Sequence, residues 1–384
     1  MALFHAHCHL QNDPITFDGD NSQIFFDDCN SYLVVYKLGV FSVTSVLARH
    51  IPPQMIDFIR RGPVLDVRFS LDKRHVCIQR SSTDLDIVSL QDATEVGYQC
   101  REKGKGNAVL GFVWCNSSLC DLCLVTEMGL ELLKLAPKLD GVKLVKHEKR
   151  AVDWFHYYHP CRTLLLCSGK DHSCLQPFQL LPDKLLKMPD FDPEVAVAPG
   201  GRRSRLEQHS ITLCKLYDKL CCVYIFAARQ ELIVYQVGKE AIGKLCTVNL
   251  FSACDSEYAL SVCDHLLVVH NMDSRITMLF DIWLQQWTSH PIAAPLPLGG
   301  PPPQRRAQPL GGGEAGGGLA EEEEVPLHVT ADQYIGDWKW TAPHYILDKK
   351  EAKLWSIEVS LEHLSASSSD KVNLLRCLLK RANG

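Results

Sequence analysis

The chain has no uninterrupted apolar stretch of about 18 residues, the length a bilayer-spanning helix needs; its longest runs are broken by Lys, Asp or Arg. It has no excess of basic charge either. Forty Lys and Arg stand against 45 Asp and Glu, a formal net charge of -5, and the cations are scattered. That leaves no electrostatic footprint for a phosphate backbone, so nucleic acid is not an expected partner. No amino-terminal basic segment with an apolar core and small-residue cleavage site opens the sequence, so nothing directs the chain to an oxidising compartment. A soluble, intracellular protein with reduced thiols is the expectation. In that setting Asn116, followed by Ser117 and Ser118, is a glycosylation sequon in letters only. The usual enzyme signatures are missing as well: there is no G-x-x-x-x-G-K-[ST] and no G-x-S-x-G, and Gly104-Lys105-Gly106 lacks the third glycine and following helix of a dinucleotide site. No catalytic, cofactor-binding or metal-binding residue is assigned, no cofactor is expected, and the chain is read as not an enzyme.

What is present is a globular composition. Of 384 residues, 46% are hydrophobic and 22% charged, enough to build a large core. From Ile24 to about residue 290 the apolar runs are short and rich in Val, Leu, Ile and Phe. Clusters of Asp, Asn, Gly, Ser and Lys separate them. That is the signal of strands and tight turns. Val64 to Phe69, Val76 to Arg80 and Leu85 to Leu90 make one strand set; Val109 to Trp114, Leu122 to Thr126 and Gly129 to Leu135 make the next, starting 45 residues later. A period of 40 to 45 residues with about four strands is the spacing of propeller blades. The length then accommodates about seven, so the expected fold is all-β, a degenerate β-propeller over residues 20–360, with a two-sheet sandwich or a pair of smaller β domains as alternatives.

Three segments depart from that pattern. Residues 1–19 read as a flexible terminus. Residues 291–326, with Pro301 to Pro303, Gly311 to Gly313, Gly316 to Gly318 and Glu321 to Glu324, read as a disordered insertion. The strands on its two sides are expected to share one blade, so that cutting near Gly312 leaves the fold associated. Asp192 to Glu207 reads as a shorter surface loop, whose Arg202, Arg203 and Arg205 are solvated charges. Beyond Leu361, Ser367 to Asp370 cap an amphipathic helix with Val372, Leu374, Leu375, Leu378 and Leu379 on its apolar face, the start of a helical region over 361–384.

Several clusters carry metal-ligand or redox chemistry in their residue types. His5, His7, Cys8 and His9 crowd the amino terminus, and in a strand the three histidines share one face. All four ligands fall in one terminal pentapeptide, however, and a solvated terminus is the expected state. His156, His159 and Cys161 form a second group in an aromatic strand-turn, expected to be a packed β edge. Cys120 and Cys123 make a C-x-x-C at the start of a strand, away from the helix amino terminus that activates a redox pair. Cys221 and Cys222 point to opposite faces of one strand. Asp27 and Asp28 read as turn residues. The total of 17 cysteines is high, and most, including Cys29, Cys77, Cys167, Cys214, Cys246 and Cys263, lie in or beside apolar runs as small hydrophobes.

Taken in order, Val67 to Lys73 with Ile78 to Arg80, Val109 to Trp114, Val125 to Glu131, Leu175 to Phe178 with Met188 to Phe191, Leu260 to His270, Leu279 to Ile282 and Leu354 to Leu361 resemble the amino-terminal half of the Bulli family, also called the colon-cancer-associated Mic proteins. The resemblance implies an amino-terminal β-propeller followed by an α-solenoid. It also implies a regulatory, non-catalytic subunit partnered with the Mon and Ccz subunits of a guanine-nucleotide-exchange complex. That complex activates a late-endosomal Rab GTPase in endosome maturation, lysosomal delivery and autophagy. Peripheral membrane association through the complex, on late endosomes and lysosomes, comes with it. The chain departs from the family pattern by its Pro, Gly and Glu-rich insertion and by stopping about one helix into the expected solenoid. Two other classes stand beside this one: a generic coat or tethering propeller, and a metal-dependent propeller enzyme built on His156, His159 and Cys161.

Overall fold

The computed structural model describes residues 6–102, 105–115, 117–169, 172–196, 204–251, 256–284, 290–301, 338–367 and 370–381. It is almost entirely antiparallel sheet, and the sheets follow one another along the chain as blades. The first blade is Gln23–Asp27, Tyr32–Lys37, Val40–Ser45 and Gln54–Ile56. The second is Asp66–Phe69, His75–Gln79, Asp84–Ser89 and Glu95–Gln99, and the third Val109–Trp114, Leu122–Thr126, Gly129–Leu135 and Val142–Lys149. Trp154–Tyr158, Thr163–Ser168, Cys174–Leu180 and Leu185–Lys187 make the fourth; Ile211–Leu216, Lys219–Phe226, Glu231–Val237 and Ile242–Asn249 make the fifth. These five blades belong to one compact unit, residues 17–255.

Residue type follows position in the blade. Leu122–Thr126 is buried along its whole length because a middle strand meets a neighbouring blade on each face. Outermost strands are wet: Glu95–Gln99 alternates exposed and half-buried residues, and Val142–Lys149 carries four charged side chains. The core of this unit lies between successive blades. Phe41, Val43 and Ile56 of the first pack with Val67, Val76 and Ile78 of the second. Cys77 and Ile87 meet Phe112, Leu122 and Leu124 in the next layer, followed by Cys123 and Leu132 against Leu164 and Phe178, and Leu165 and Cys167 against Leu213 and Tyr224.

A second unit combines residues 1–16 with 256–384. Its three-stranded blade is Tyr258–Cys263, Leu266–Asn271 and Ile276–Phe280. The last blade is Trp338–Thr341, Tyr345–Asp348 and Lys353–Val359, completed by Cys8–Leu10 from the start of the chain, with Cys8 opposite Val359 and Leu10 opposite Ile357; Ile15–Thr16 adds a further pairing to the same strand. Two helices follow, Leu361–Ser367 and Lys371–Arg381. Asp370 caps the second through the Asn373 N–H at 3.0 Å. Its apolar face divides: Leu374 and Cys377 are buried in the unit's core, while Val372, Leu375 and Leu379 are exposed.

Three expectations are corrected. The terminus is not flexible from residue 6 onward, because the strand Lys353–Val359 offers an unpaired edge that Cys8–Leu10 fills. The propeller therefore begins before residue 20. The insertion does not start at 291: Leu296 bridges Thr277, Gly299 donates to the Cys8 carbonyl at 2.8 Å, and Leu298 is fully buried. The remainder of that insertion, Gly312 included, lies outside the described residues. The strands on its two sides belong to different sheets, since Ile276–Phe280 closes one blade and Trp338–Thr341 opens the next.

Candidate functional site

The amino-terminal imidazoles are held by the last blade. His7 is buried beside the Ala294 backbone, and burial lowers its pKa, with His363 adding to the effect. His9 stands opposite Glu358, with Nε2 3.7 Å from a carboxylate oxygen; burial lowers its pKa while Glu358 opposes. Cys8 is 1% exposed and its thiol is pushed up by burial and by Cys263. A protonated thiol in the core is inert as a nucleophile. His5 lies outside the described residues.

The second His and Cys group is not assembled. His156 Nε2 lies 2.9 Å from the Gln208 carbonyl, while the Gln208 amide returns a bond to the Phe155 carbonyl at 2.9 Å. His159 Nδ1 is 3.4 Å from the Tyr157 hydroxyl, and the Cys161 carbonyl accepts the Thr163 hydroxyl at 3.1 Å. The ring of His156 packs on Trp154 instead, and burial lowers the pKa of both histidines. The edge-strand reading describes this arrangement; the three ligand types do not converge.

Among the described residues one group brings three ligand-type atoms within 4.8 Å of one another: Asp27, Asp28 and Cys29. Both aspartates are nonetheless engaged. Asp27 accepts from the Phe69 N–H, from the Asn30 amide (both 2.9 Å) and from the Cys29 N–H at 3.2 Å, and burial raises its pKa against those bonds. Asp28 takes the Arg68 guanidinium at 2.7 Å, whose Nε also reaches Asp66 at 3.2 Å. The cluster thus already holds a cation, the guanidinium, and it ties the turn of the first blade to the first strand of the second. Asp28 stands in the expected turn, while Asp27 is the last residue of the strand before it and accepts the backbone N–H groups of Cys29 and Phe69.

The isolated C-x-x-C has a third member that spacing did not suggest. Cys115 follows the strand before it, its thiol 3.8 Å from the Val113 carbonyl; Cys120, ahead of burial, raises the Cys115 pKa, and Cys115 lowers that of Cys120. Ser117 braces the turn, accepting the Cys120 N–H at 3.1 Å and donating to its carbonyl at 3.0 Å. A small pocket beside it is lined by Trp114, Tyr157 and Arg162. Asn116, Gly104, Arg202 and Arg203 lie outside the described residues; Arg205 is exposed, 3.9 Å from Asp153.

In the three-stranded blade, His270 is fully buried. Its Nδ1 lies 3.1 Å from Thr277 Oγ1, its Nε2 3.3 Å from Ser261 Oγ, and its ring 4.2 Å from that of Trp340. Burial lowers its pKa to about 3. An unfolded histidine titrates near 6.5, so between these values the unfolded chain binds the extra proton and acid favours unfolding. Stability from this group is complete above about pH 6.5 and falls by about 1.4 kcal/mol per pH unit below it. We expect the loss in unfolding free energy between pH 7 and pH 5, read from urea midpoints, to be about 2 kcal/mol smaller in a His270→Gln variant than in the native chain. Equal losses in both would show that His270 is not a buried neutral group.

The fold is a seven-bladed β-propeller with two short helices after the last blade, and its described clusters of polar and ligand-type side chains are joints between strands and blades. Residues 24–141 match the family described as Regulator of MON1-CCZ1 complex, N-terminal. The chain is similar to these regulators, of which Bulli is another name. It is 25% identical to the human Regulator of MON1-CCZ1 complex over 394 aligned positions, covering 96% of this chain and 56% of that protein. The Regulator of MON1-CCZ1 complex homolog of Dictyostelium discoideum is 26% identical across 57% of this chain and 21% of its own length. The chain thus spans about half the length of the human relative. Among solved structures, the β-propeller domain of Cps50 (Swd1) from Myceliophteria thermophila superimposes with a TM-score of 0.42 at 14% identity, over 65% of this chain and 80% of that one.

Proposed function

We propose that this chain is a non-catalytic, regulatory propeller of a Mon–Ccz guanine-nucleotide-exchange complex. In this reading it serves activation of a late-endosomal Rab GTPase, and with it endosome maturation, lysosomal delivery and autophagy, from the cytoplasmic face of late endosomes and lysosomes. The observation that carries the reading is the alignment with the human regulator through 96% of the chain. No helix among the described residues is long and apolar enough to cross a membrane, which is compatible with a peripheral subunit. The propeller supplies rigid blade edges and loops for partner contact. Co-purification is the test. A tagged chain, and a version extended through the length of the relatives, are expressed with a Mon–Ccz pair. Stoichiometric recovery is expected, and failure of the extended version to associate overturns the proposal.

A further inference from the structure

Three histidines gather where the start of the chain closes the last blade, and the joint they share is short. Cys8–Leu10 pairs with Ile357 to Val359. Four backbone bonds hold the segment there: Ser360 N–H to the His7 carbonyl at 2.8 Å, Gly299 N–H to the Cys8 carbonyl at 2.8 Å, Leu10 N–H to the Gly299 carbonyl at 3.0 Å and Gln11 N–H to the Ser356 carbonyl at 2.9 Å. His7 is 4% exposed, and the His9 side chain 18% exposed. His363 stands in the first turn of the helix Leu361–Ser367, its N–H 3.3 Å from the hydroxyl of the same Ser360, and its charge weighs on both.

Little at this joint neutralises an added proton. Residues 291–301, which run beside His7 and Cys8, contain no charged side chain. Glu358 faces His9 at 3.7 Å, but its side chain is 49% exposed and it serves His344 as well. The remaining titratable groups on the elements packed here are the buried thiols of Cys8 and Cys263, Asp264 and His265 in the turn after Cys263, the exposed Glu362, and His290 ahead of the uncharged segment. Burial holds His7 and His9 below the ordinary histidine pKa, against the Ala294 backbone at His7 and Glu358 at His9. A segment whose histidines protonate more readily once released is fully held above about pH 6.5, and release gains up to about tenfold per pH unit for each such group below it.

We propose that Cys8–Leu10 is an acid-released latch: in mildly acidic solution His7 and His9 take up protons, the segment leaves the edge of the last blade, and the rest of that blade stays folded. Trp338–Thr341, Tyr345–Asp348 and Lys353–Val359 keep their own pairings, so local opening costs less than unfolding the unit. Ile15–Thr16, paired with the other end of Lys353–Val359, keeps the released segment tethered. Release uncovers a strand edge with backbone groups that the segment had satisfied.

Hydrogen–deuterium exchange of the full chain, read by mass spectrometry and corrected for the intrinsic rate at each pH, tests this without any partner subunit. Between about pH 7.5 and pH 5.5, protection of the Leu10 and Gln11 amides should fall about tenfold or more, while that of Tyr345–Asp348 falls less than about threefold. His7→Gln with His9→Gln should abolish the difference between the two pH values. If that protein does not fold, Glu358→Gln, at a half-exposed position, decides: without the carboxylate the closed joint admits a proton to His9 less readily, so the latch should open at a higher pH than in the native chain. Equal losses in both segments, which mark unfolding of the whole unit, overturn the proposal. So do unchanged protection at Leu10 and Gln11, a pH dependence that survives in the double histidine variant, and an opening pH that Glu358→Gln leaves where it was.

Discussion

Gly129→Ala is expected to destabilise the chain by on the order of 4 kcal/mol, enough to deplete folded protein in a unit of ordinary stability. Gly129 opens the third strand of the third blade with φ +130°, a region that L side chains avoid. A Cβ there would sit 2.0 Å from the Glu148 carbonyl oxygen and 2.9 Å from the Arg150 N–H, both backbone atoms fixed by the adjacent strand, where Gly129 pairs with Lys149. The strand cannot yield without breaking that pairing, and the turn is pinned further by Thr126, whose hydroxyl donates to the Gly129 carbonyl at 2.9 Å. Gly39 supplies the comparison. Its φ is +92°, but the obstacle to a Cβ is the Arg61 side chain, a flexible group that can swing away, so Gly39→Ala should cost only about 1 kcal/mol. Urea midpoints of the two variants check the contrast. A Gly129→Ala protein as stable as Gly39→Ala would mean that the third and fourth strands of this blade do not approach as described.

The reason one glycine matters and the other does not is invisible in the letters, and the same holds for much of the candidate site. Strand position was legible because burial on two faces demands a continuous apolar run: Leu122 to Thr126 and Thr163 to Cys167 could be little else. The blade period followed from their spacing. The last blade was half legible. Strands were expected after the insertion and Leu354 to Leu361 was among the matched segments, but the fourth member, Cys8–Leu10, is three residues long and draws its register from partners some 350 positions away. A stretch that short has no periodicity of its own, and its histidines suggested a solvated ligand cluster. Likewise the prolines around Leu296 argued for disorder, whereas an edge position tolerates them because only some of the N–H groups need partners. The influence of Cys120 on Cys115 shows only once Trp114 is paired with Leu122 and the turn between them is closed.

The second large effect is expected at Asp86, where a charge lies in the second blade with almost no solvent. The side chains of Asp86 and Arg80 are each 8% exposed and meet at 2.6 Å. Arg80 also donates to the Pro63 carbonyl at 3.1 Å and the Arg60 carbonyl at 2.8 Å, so it clamps the crossing from the first blade to the second; Arg60 returns to Asp86 at 3.1 Å. Asp86→Ala leaves a guanidinium that can neither lose its proton nor reach bulk water, at a cost of about 3 to 5 kcal/mol. Asp86→Asn keeps an acceptor and should cost less. The informative protein is the double variant Arg80→Met with Asp86→Leu, which removes both charges and keeps the volume. Since desolvation offsets most of the attraction within a buried pair, it should regain more than half of what Asp86→Ala loses in urea midpoint. A double variant no more stable than Asp86→Ala would instead place the energy in the two carbonyls that Arg80 holds, making the interblade crossing, and not the ion pair, the element this corner of the propeller depends on.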